Sequence, residues 1–187
     1  IELAVKLDAV CFGSLAQRSS HSCLSIHEFI RNTRNDCLRI FDINLRQQYY
    51  SSEIIEKSLQ AANVLKLNDG ELLVLQNIFK LPSSIQDALC VLQERYELDY
   101  IAYTRGAEGA LLKNHQTCCD CPGIKTKIVD TVGAGDSYTA VLAFGILHKL
   151  PLDQINRLAN SVAAYVCSQF GASPVLPDSL IYEFANI

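Results

Sequence analysis

The sequence predicts an α/β fold, a mostly parallel sheet with helices on both faces. Three observations point to it. Short apolar runs alternate with longer stretches of helical spacing along the chain, and that alternation calls for parallel strands covered on both sides. Hydrophobic residues make up 49% of the 187 positions, ample for the core of a single domain spanning 1–187. Polar residues cluster just after the strand runs, at the end of an open α/β sheet where ligands bind.

Taken in order, residues 9–14 (AVCFGS) form a short apolar run ending in Gly-Ser, a buried strand. A weakly patterned helix follows over 22–30. The run 38–43 (LRIFDI) is a second strand, from whose end Asp42-x-Asn44-x-Arg46 emerges, with Asp42 expected to cap the turn that follows. Ile54, Ile55, Leu59 and Ala62 mark a helix, and 64–67 the next strand. Asn68-Asp69-Gly70-Glu71 opens a helix carrying Leu72, Leu75 and Ile78, and Ser83-Ser84 opens another, with Ala88, Leu89, Leu92 and Tyr96 on its stripe. Residues 100–104 are a strand, and Arg105 to Gly109 turn into the run 110–113. Ile155, Leu158, Ala159, Val162, Val166 and Phe170 keep helical spacing, Gly171 ends that helix, and a last one starts near Asp178.

Everything is arranged around 127–150, KIVDTVGAGDSYTAVLAFGILHKL. A β-rich lead-in (Ile128, Val129) runs into a small turn and then an almost wholly apolar helix, which belongs inside a protein. Gly133 and Gly135, flanking Ala134, let the backbone pass close to a bulky group. The helix mouth offers unpaired N–H donors and a positive dipole end, which suit phosphate. Asp136 beside an anion site is placed to take a proton from an attacking hydroxyl, although an aspartate in a first turn can also be only a cap.

The full string D-T-x-G-A-G-D before a long apolar helix resembles the signature of the ribokinase-like (PfkB) sugar kinases. The resemblance implies a three-layer α/β/α fold, with Gly133, Ala134 and Gly135 as the anion hole for the transferred phosphoryl group and Asp136 as catalytic base. D-I-N-L-R is similar to a string of the fructokinase-like branch and implies that Arg46 lies near that group. Asn68-x-x-Glu71 is a capping-box pattern on its own terms. The resemblance adds a link to Mg²⁺ and its waters. Thr104, Gly106 and Gly109 resemble the turn against the nucleotide phosphates, and Asn160 a position lining the adenine pocket. Asp130 and Val132 fall where some members hold a monovalent cation such as K⁺. The implied partners are ATP and a small sugar, with a homodimer formed through the lid.

The resemblance matches the later, nucleotide-binding part of the family's pattern. The family's N-terminal portion, with its sugar-binding glycines and β lid, is missing from this sequence. A chain that starts at Ile1 and contains no methionine is expected either to begin inside a longer protein or to lack some residues of the natural sequence. The alternative to a kinase is an inactive nucleotide-binding remnant or pseudokinase. A Rossmann dehydrogenase is disfavoured, since the glycine turn comes late and no acidic residue follows about 20 positions on after a second strand.

The formal charge of −4 and the absence of a basic block favour neither nucleic acid nor a membrane surface. Eight irregularly spaced cysteines read as reduced thiols, consistent with a cytoplasmic protein. Cys118, Cys119 and Cys121 lack the fourth ligand a zinc site needs, so this stretch is expected to be a loop between strands.

Overall fold

A computed structural model describes residues 2–185 of the chain. Six strands in the order β1-β2-β3-β4-β5-β6, with seven helices among the described residues, make a three-layer α/β architecture. The chain divides into two compact units, residues up to Thr104 with Lys113–Gln116, and Arg105–Leu112 with everything from Thr117 onward.

The first unit holds β1 (Ala9–Phe12), α1 (Ser20–Arg31), β2 (Leu38–Asp42), α2 (Ser52–Ala61), β3 (Val64–Asn68), α3 (Asp69–Phe79), α4 (Ile85–Tyr96) and β4 (Tyr100–Thr104). Its strands pair in parallel, with Cys11 opposite Ile40, Ile40 opposite Val64, and Asn68 opposite Thr104. Their near-continuous apolar runs are what a sheet covered on both faces needs. Ile40, Phe41, Val64, Leu65, Leu67, Ile101 and Ala102 are buried, as are Ile55 and Leu59 of α2, Leu72 and Leu75 of α3, and Leu89 and Leu92 of α4. Serine oxygens cap three helices by accepting a backbone N–H: Ser19 from Ser22, Ser51 from Ile54, Ser84 from Asp87. Left-handed Lys80 and Glu97 close α3 and α4.

One polar residue of β2 departs from its sequence reading. Asp42, expected to cap a turn, is buried and accepts from Lys66 Nζ at 3.0 Å, the residue facing it on β3. A charge inside a sheet needs an opposite charge at contact distance, because leaving either alone there would cost several kcal/mol. The first strand also ends sooner than expected, at Phe12. Beyond it, Ser14 N–H and Oγ both donate to Ile43 O, at 3.1 and 2.7 Å.

The second unit holds β5 (Ala110–Leu112 of Ala110–Lys113), β6 (Cys118–Cys121), α5 (Ala134–Leu147), α6 (Leu152–Cys167) and α7 (Asp178–Ala185). Two expectations are corrected here. Cys118–Cys121 is a strand rather than a loop, and the Ile128-Val129 lead-in is irregular chain, held by Val129 N–H on Cys167 O at 2.8 Å. Helix α5 is buried along one face only, through Tyr138, Thr139, Val141, Leu142 and Gly145, while Ala140 and Leu147 are exposed. It packs closely on α6. A Cβ on Gly145 would come within 2.6 Å of the Ile155 side chain. Helix α6 stops at Cys167, and Phe170 is 89% exposed.

Candidate active site

In the second unit, the turn before α5 is built by backbone geometry. Gly133 has φ 83°, and a Cβ there would stand 2.2 Å from Ala172 O, so glycine is required on both counts. Asp130 fastens this turn to the segment after α6. Its carboxylate accepts from Val132 N–H at 3.0 Å and Gly171 N–H at 3.3 Å, while its own N–H donates to Cys167 O. Among the described residues no donor is spent on the carbonyl oxygens of Asp130 or Val132.

The donors at the mouth of α5 divide clearly. Ala134 N–H goes to Thr131 O at 3.3 Å, and Ser137 N–H to Gly133 O at 2.8 Å. Between them, Gly135 N–H and Asp136 N–H find no acceptor among the described residues, and Gly133 supplies no side-chain cap. Asp136 is exposed. Unspent amides at a helix N-terminus, with the dipole behind them, form a seat for an anion. Beside them stands a carboxylate in reach of water, free to accept a proton.

The glycine turn of this unit uses left-handed backbone at both glycines. Gly106 and Gly109 have φ 54° and 90°, and Arg105 N–H donates to Gly109 O at 2.8 Å. A Cβ on Gly109 would meet Cys121 O at 2.1 Å, so this glycine serves the packing of β6 as well as any ligand. The Arg105 guanidinium pairs with Asp120.

Asn160 leads to a residue that sequence reasoning missed. Its amide donates to Asn156 O and Oδ1 at 2.9 and 3.1 Å. Asn156 is 0% exposed and sits at the centre of a polar network. It accepts from Tyr138 Oη at 2.9 Å and donates to Ala110 O and Cys119 O at 2.8 and 3.0 Å. One amide thereby ties α5 and α6 to β5 and β6. Burial pushes the Tyr138 hydroxyl well above the ordinary phenol range, with the Cys121 and Cys119 thiols adding to the shift. The available signal was a polar residue beside Ile155 and within reach of Ala159 on the apolar stripe of α6.

In the first unit, the carboxyl ends of the strands are stitched together by one side chain. Asn68 Oδ1 accepts from Glu71 N–H at 2.8 Å, and Glu71 Oε2 accepts from Asn68 N–H at 2.8 Å, a complete capping box. Glu71 Oε1 reaches further and accepts from Leu45 N–H at 3.0 Å. Glu71 is 6% exposed. It therefore holds the loop carrying Asn44 and Arg46 against the start of α3. That loop is bent through two non-glycine residues in the left-handed region, Asn44 (φ 47°) and Gln47 (φ 49°). Arg46 is exposed, and no carboxylate pairs with it among the described residues. Thr104, at the end of β4, donates its hydroxyl to Leu67 O at 3.4 Å.

With both oxygens of Glu71 already accepting backbone donors, direct metal ligation would break the cap. The remaining lone pairs, with the Asn68 amide, suit the waters of a Mg²⁺ ion, which dehydrates reluctantly.

Comparison with known proteins identifies the family. The model of the pfkB family of carbohydrate kinases matches residues 3–179. A Pyrococcus horikoshii protein named a sugar kinase is 29% identical over 188 residues, covering 95% of this chain and 56% of its own length. Its structure in complex with ATP superposes with a TM-score of 0.79, at 27% identity, over 99% of this chain and 60% of that one. Aminoimidazole riboside kinase from Salmonella enterica, solved with aminoimidazole riboside and an ATP analog, gives a TM-score of 0.75 at 26% identity, over 96% and 63% of the two chains. Escherichia coli fructokinase is 27% identical over 148 residues, 73% of this chain and 47% of its own. The chain thus spans about half to two thirds of the length of these relatives.

Proposed function

Starting from a chain that belongs to the pfkB family of carbohydrate kinases, we propose that the protein transfers the γ-phosphoryl group of ATP to a hydroxyl of a small sugar, fructose or similar. The observation that carries this reading is the pair of unspent amides, Gly135 and Asp136, beside an exposed carboxylate. Phosphoryl transfer needs little covalent help from a protein; it needs donors for charge on the equatorial oxygens and an acceptor for the alcohol proton.

In this mechanism the Asp136 carboxylate accepts the proton of the sugar hydroxyl as its oxygen bonds to the γ-phosphorus and the bond to the β,γ-bridging oxygen breaks. The open N–H groups of Gly135 and Asp136 hold the charge on the oxygens in flight, on a turn shaped by Gly133, while Ala134 N–H stays on Thr131 O. Arg46, uncommitted to any carboxylate, serves the transferred group through its planar fork of donors. Mg²⁺ neutralises phosphate charge when bound, and Asn68 with Glu71 would hold it through its waters. The carbonyl oxygens of Asp130 and Val132, which receive no donor among the described residues, are the proposed ligands of a monovalent cation. Thr104, Gly106, Gly109 and Asn160 are the proposed nucleotide contacts. Two chemistries meet these requirements. The ATP complex of the Pyrococcus protein and the ATP-analog complex of the Salmonella kinase support the nucleotide; E. coli fructokinase supports the sugar.

The test is a coupled assay for ADP release from the full-length protein, offered ketoses, aldoses, sugar acids and nucleosides in turn. Turnover with one sugar class supports the proposal. Nucleotide binding without turnover on any acceptor would replace it with the nucleotide-binding remnant.

A further inference from the structure

On the first unit, a cavity of about 550 Å³ is lined by α1, the chain between Thr33 and Arg39, and the end of α2. It lies at the amino ends of the strands: Arg39 is the second residue of β2, and α2 ends at Ala61, just before β3. Asn44, Arg46, Asn68 and Glu71 stand at the opposite, carboxyl ends of those strands. The cavity is therefore separate from that cluster.

Its charged lining is of one sign. Arg31, Arg39 and Lys57 face it, with His27 beside them, and among the described residues no carboxylate belongs to the lining. Two of the cations have partners outside it, Glu28 at 3.7 Å from Arg31 and Glu53 at 2.7 Å from Lys57. Both pairs are exposed one-turn contacts, worth little and easily exchanged for a better anion.

Arg39 is different. It is half-buried, with Nε donating to Ala61 O at 2.9 Å and Nη1 reaching Arg34 O and Cys37 O at 3.5 and 3.4 Å. It has no ion-pair partner among the described residues. A guanidinium fixed by carbonyls and lacking a counter-charge is already oriented for an anion, so little ordering remains to be done on binding.

His27 lies within the same positive surroundings. Burial, then Lys57 and Arg31, hold its imidazole below the usual histidine range. The ring is kept in place by contact between Nε2 and Oε1 of the buried Gln17, at 3.0 Å.

We infer that this cavity is a second ligand site, taking a small phosphate-bearing metabolite whose phosphate seats against Arg31, Arg39 and Lys57. A dianion answers three cations at once, and guanidinium–phosphate hydrogen bonds are among the strong ones. The volume falls within the range of small-molecule pockets and exceeds what a bare ion needs. Thr33 and Gln60, also in the lining, can address the hydroxyls of a polyol carrying the phosphate.

The experiment follows the His27 ring resonances of the full-length protein by NMR at constant ionic strength. Inorganic phosphate and glycerol 3-phosphate are titrated separately. A saturable shift is expected for both, with the ester binding more tightly. A doubly substituted protein, Arg31→Gln with Lys57→Gln, should bind about tenfold more weakly or worse while keeping its urea midpoint, since both side chains are exposed. A linear response, the same response to sodium chloride, or an unchanged affinity in the double variant overturns the site. Affinity for inorganic phosphate equal to that for the ester overturns the metabolite. Turnover is not measured, so the outcome is independent of the kinase reading.

Discussion

The turn before α3 and the turn before α5 are both helix mouths, and they treat their amides in opposite ways. At α3, Asn68 and Glu71 bond each other's backbone, and the spare Glu71 oxygen takes Leu45 N–H as well. At α5, Gly133 brings no cap, and Gly135 and Asp136 keep their N–H groups unspent among the described residues. A helix start loses stability by leaving donors open, typically about 1 kcal/mol for a missing cap. The first mouth is thereby a fastening, and the second leaves donors open for the proposed phosphoryl group.

The sharpest way to break this contrast is at Asp136. Asp136→Asn in the full-length protein removes the proton acceptor and leaves the amides. Turnover should fall by about 10²–10⁴-fold, while ATP affinity measured by calorimetry stays near wild type. Near-normal turnover would take Asp136 out of the mechanism.

Stability tests come next in size. Gly133→Ala forces a side chain into a left-handed turn already pressed on Ala172 O, and should cost about 1–3 kcal/mol from backbone strain alone, read as a lowered urea midpoint. Glu71→Ala leaves Leu45 N–H and Asn68 N–H without their acceptor in a buried setting, at about 1–3 kcal/mol. If Glu71 fastens the loop, Glu71→Gln, which keeps one amide oxygen, should recover part of that loss. Equal losses in the two variants would mean that the carboxylate's charge, not its reach to two donors, is what matters.

The smallest expected effect is a pH dependence. Burial pushes the Cys37, Cys167, Tyr96 and Tyr138 groups up, and Cys121 to about 11. A group whose pKa is raised by folding ionises first in the unfolded chain. Its contribution is complete below the unfolded value, near 9 for the thiols, and is lost as pH climbs through the folded value. Urea midpoints at pH 7.5 and 10 should therefore differ, the second being lower. Identical midpoints would mean these groups are not buried as described.

Much of the frame was legible in the chain because apolar runs and serine caps are local signals. The strand 100–104 and the helix opened by Ser84 sit where the pattern put them. What escaped the reading depended on partners distant in sequence. Asp42 looked like a turn residue until Lys66 was seen facing it across β2 and β3. Asn156 is one polar letter on an apolar stripe, and nothing beside it announces bonds to Ala110 and Cys119. Cys118–Cys121 lacks the alternation of a strand, yet its backbone carries one. Of the candidate site, the glycine turns and the capping box could be read from residue types. The reach of Glu71 to Leu45 could not, since it depends on how a loop bends through Asn44 and Gln47.

The contact of Gly133 with Ala172 O has a bearing on redesign. Wherever residue 133 lacks a side chain, the space is filled by main chain from beyond α6, so the contour of the turn is inherited from the path of a segment far along the sequence. Exchanging side chains at 172 or 173 should be tolerated more readily than lengthening or shortening that segment. A single inserted residue there would recast the mouth of α5 without altering one letter of GAGD.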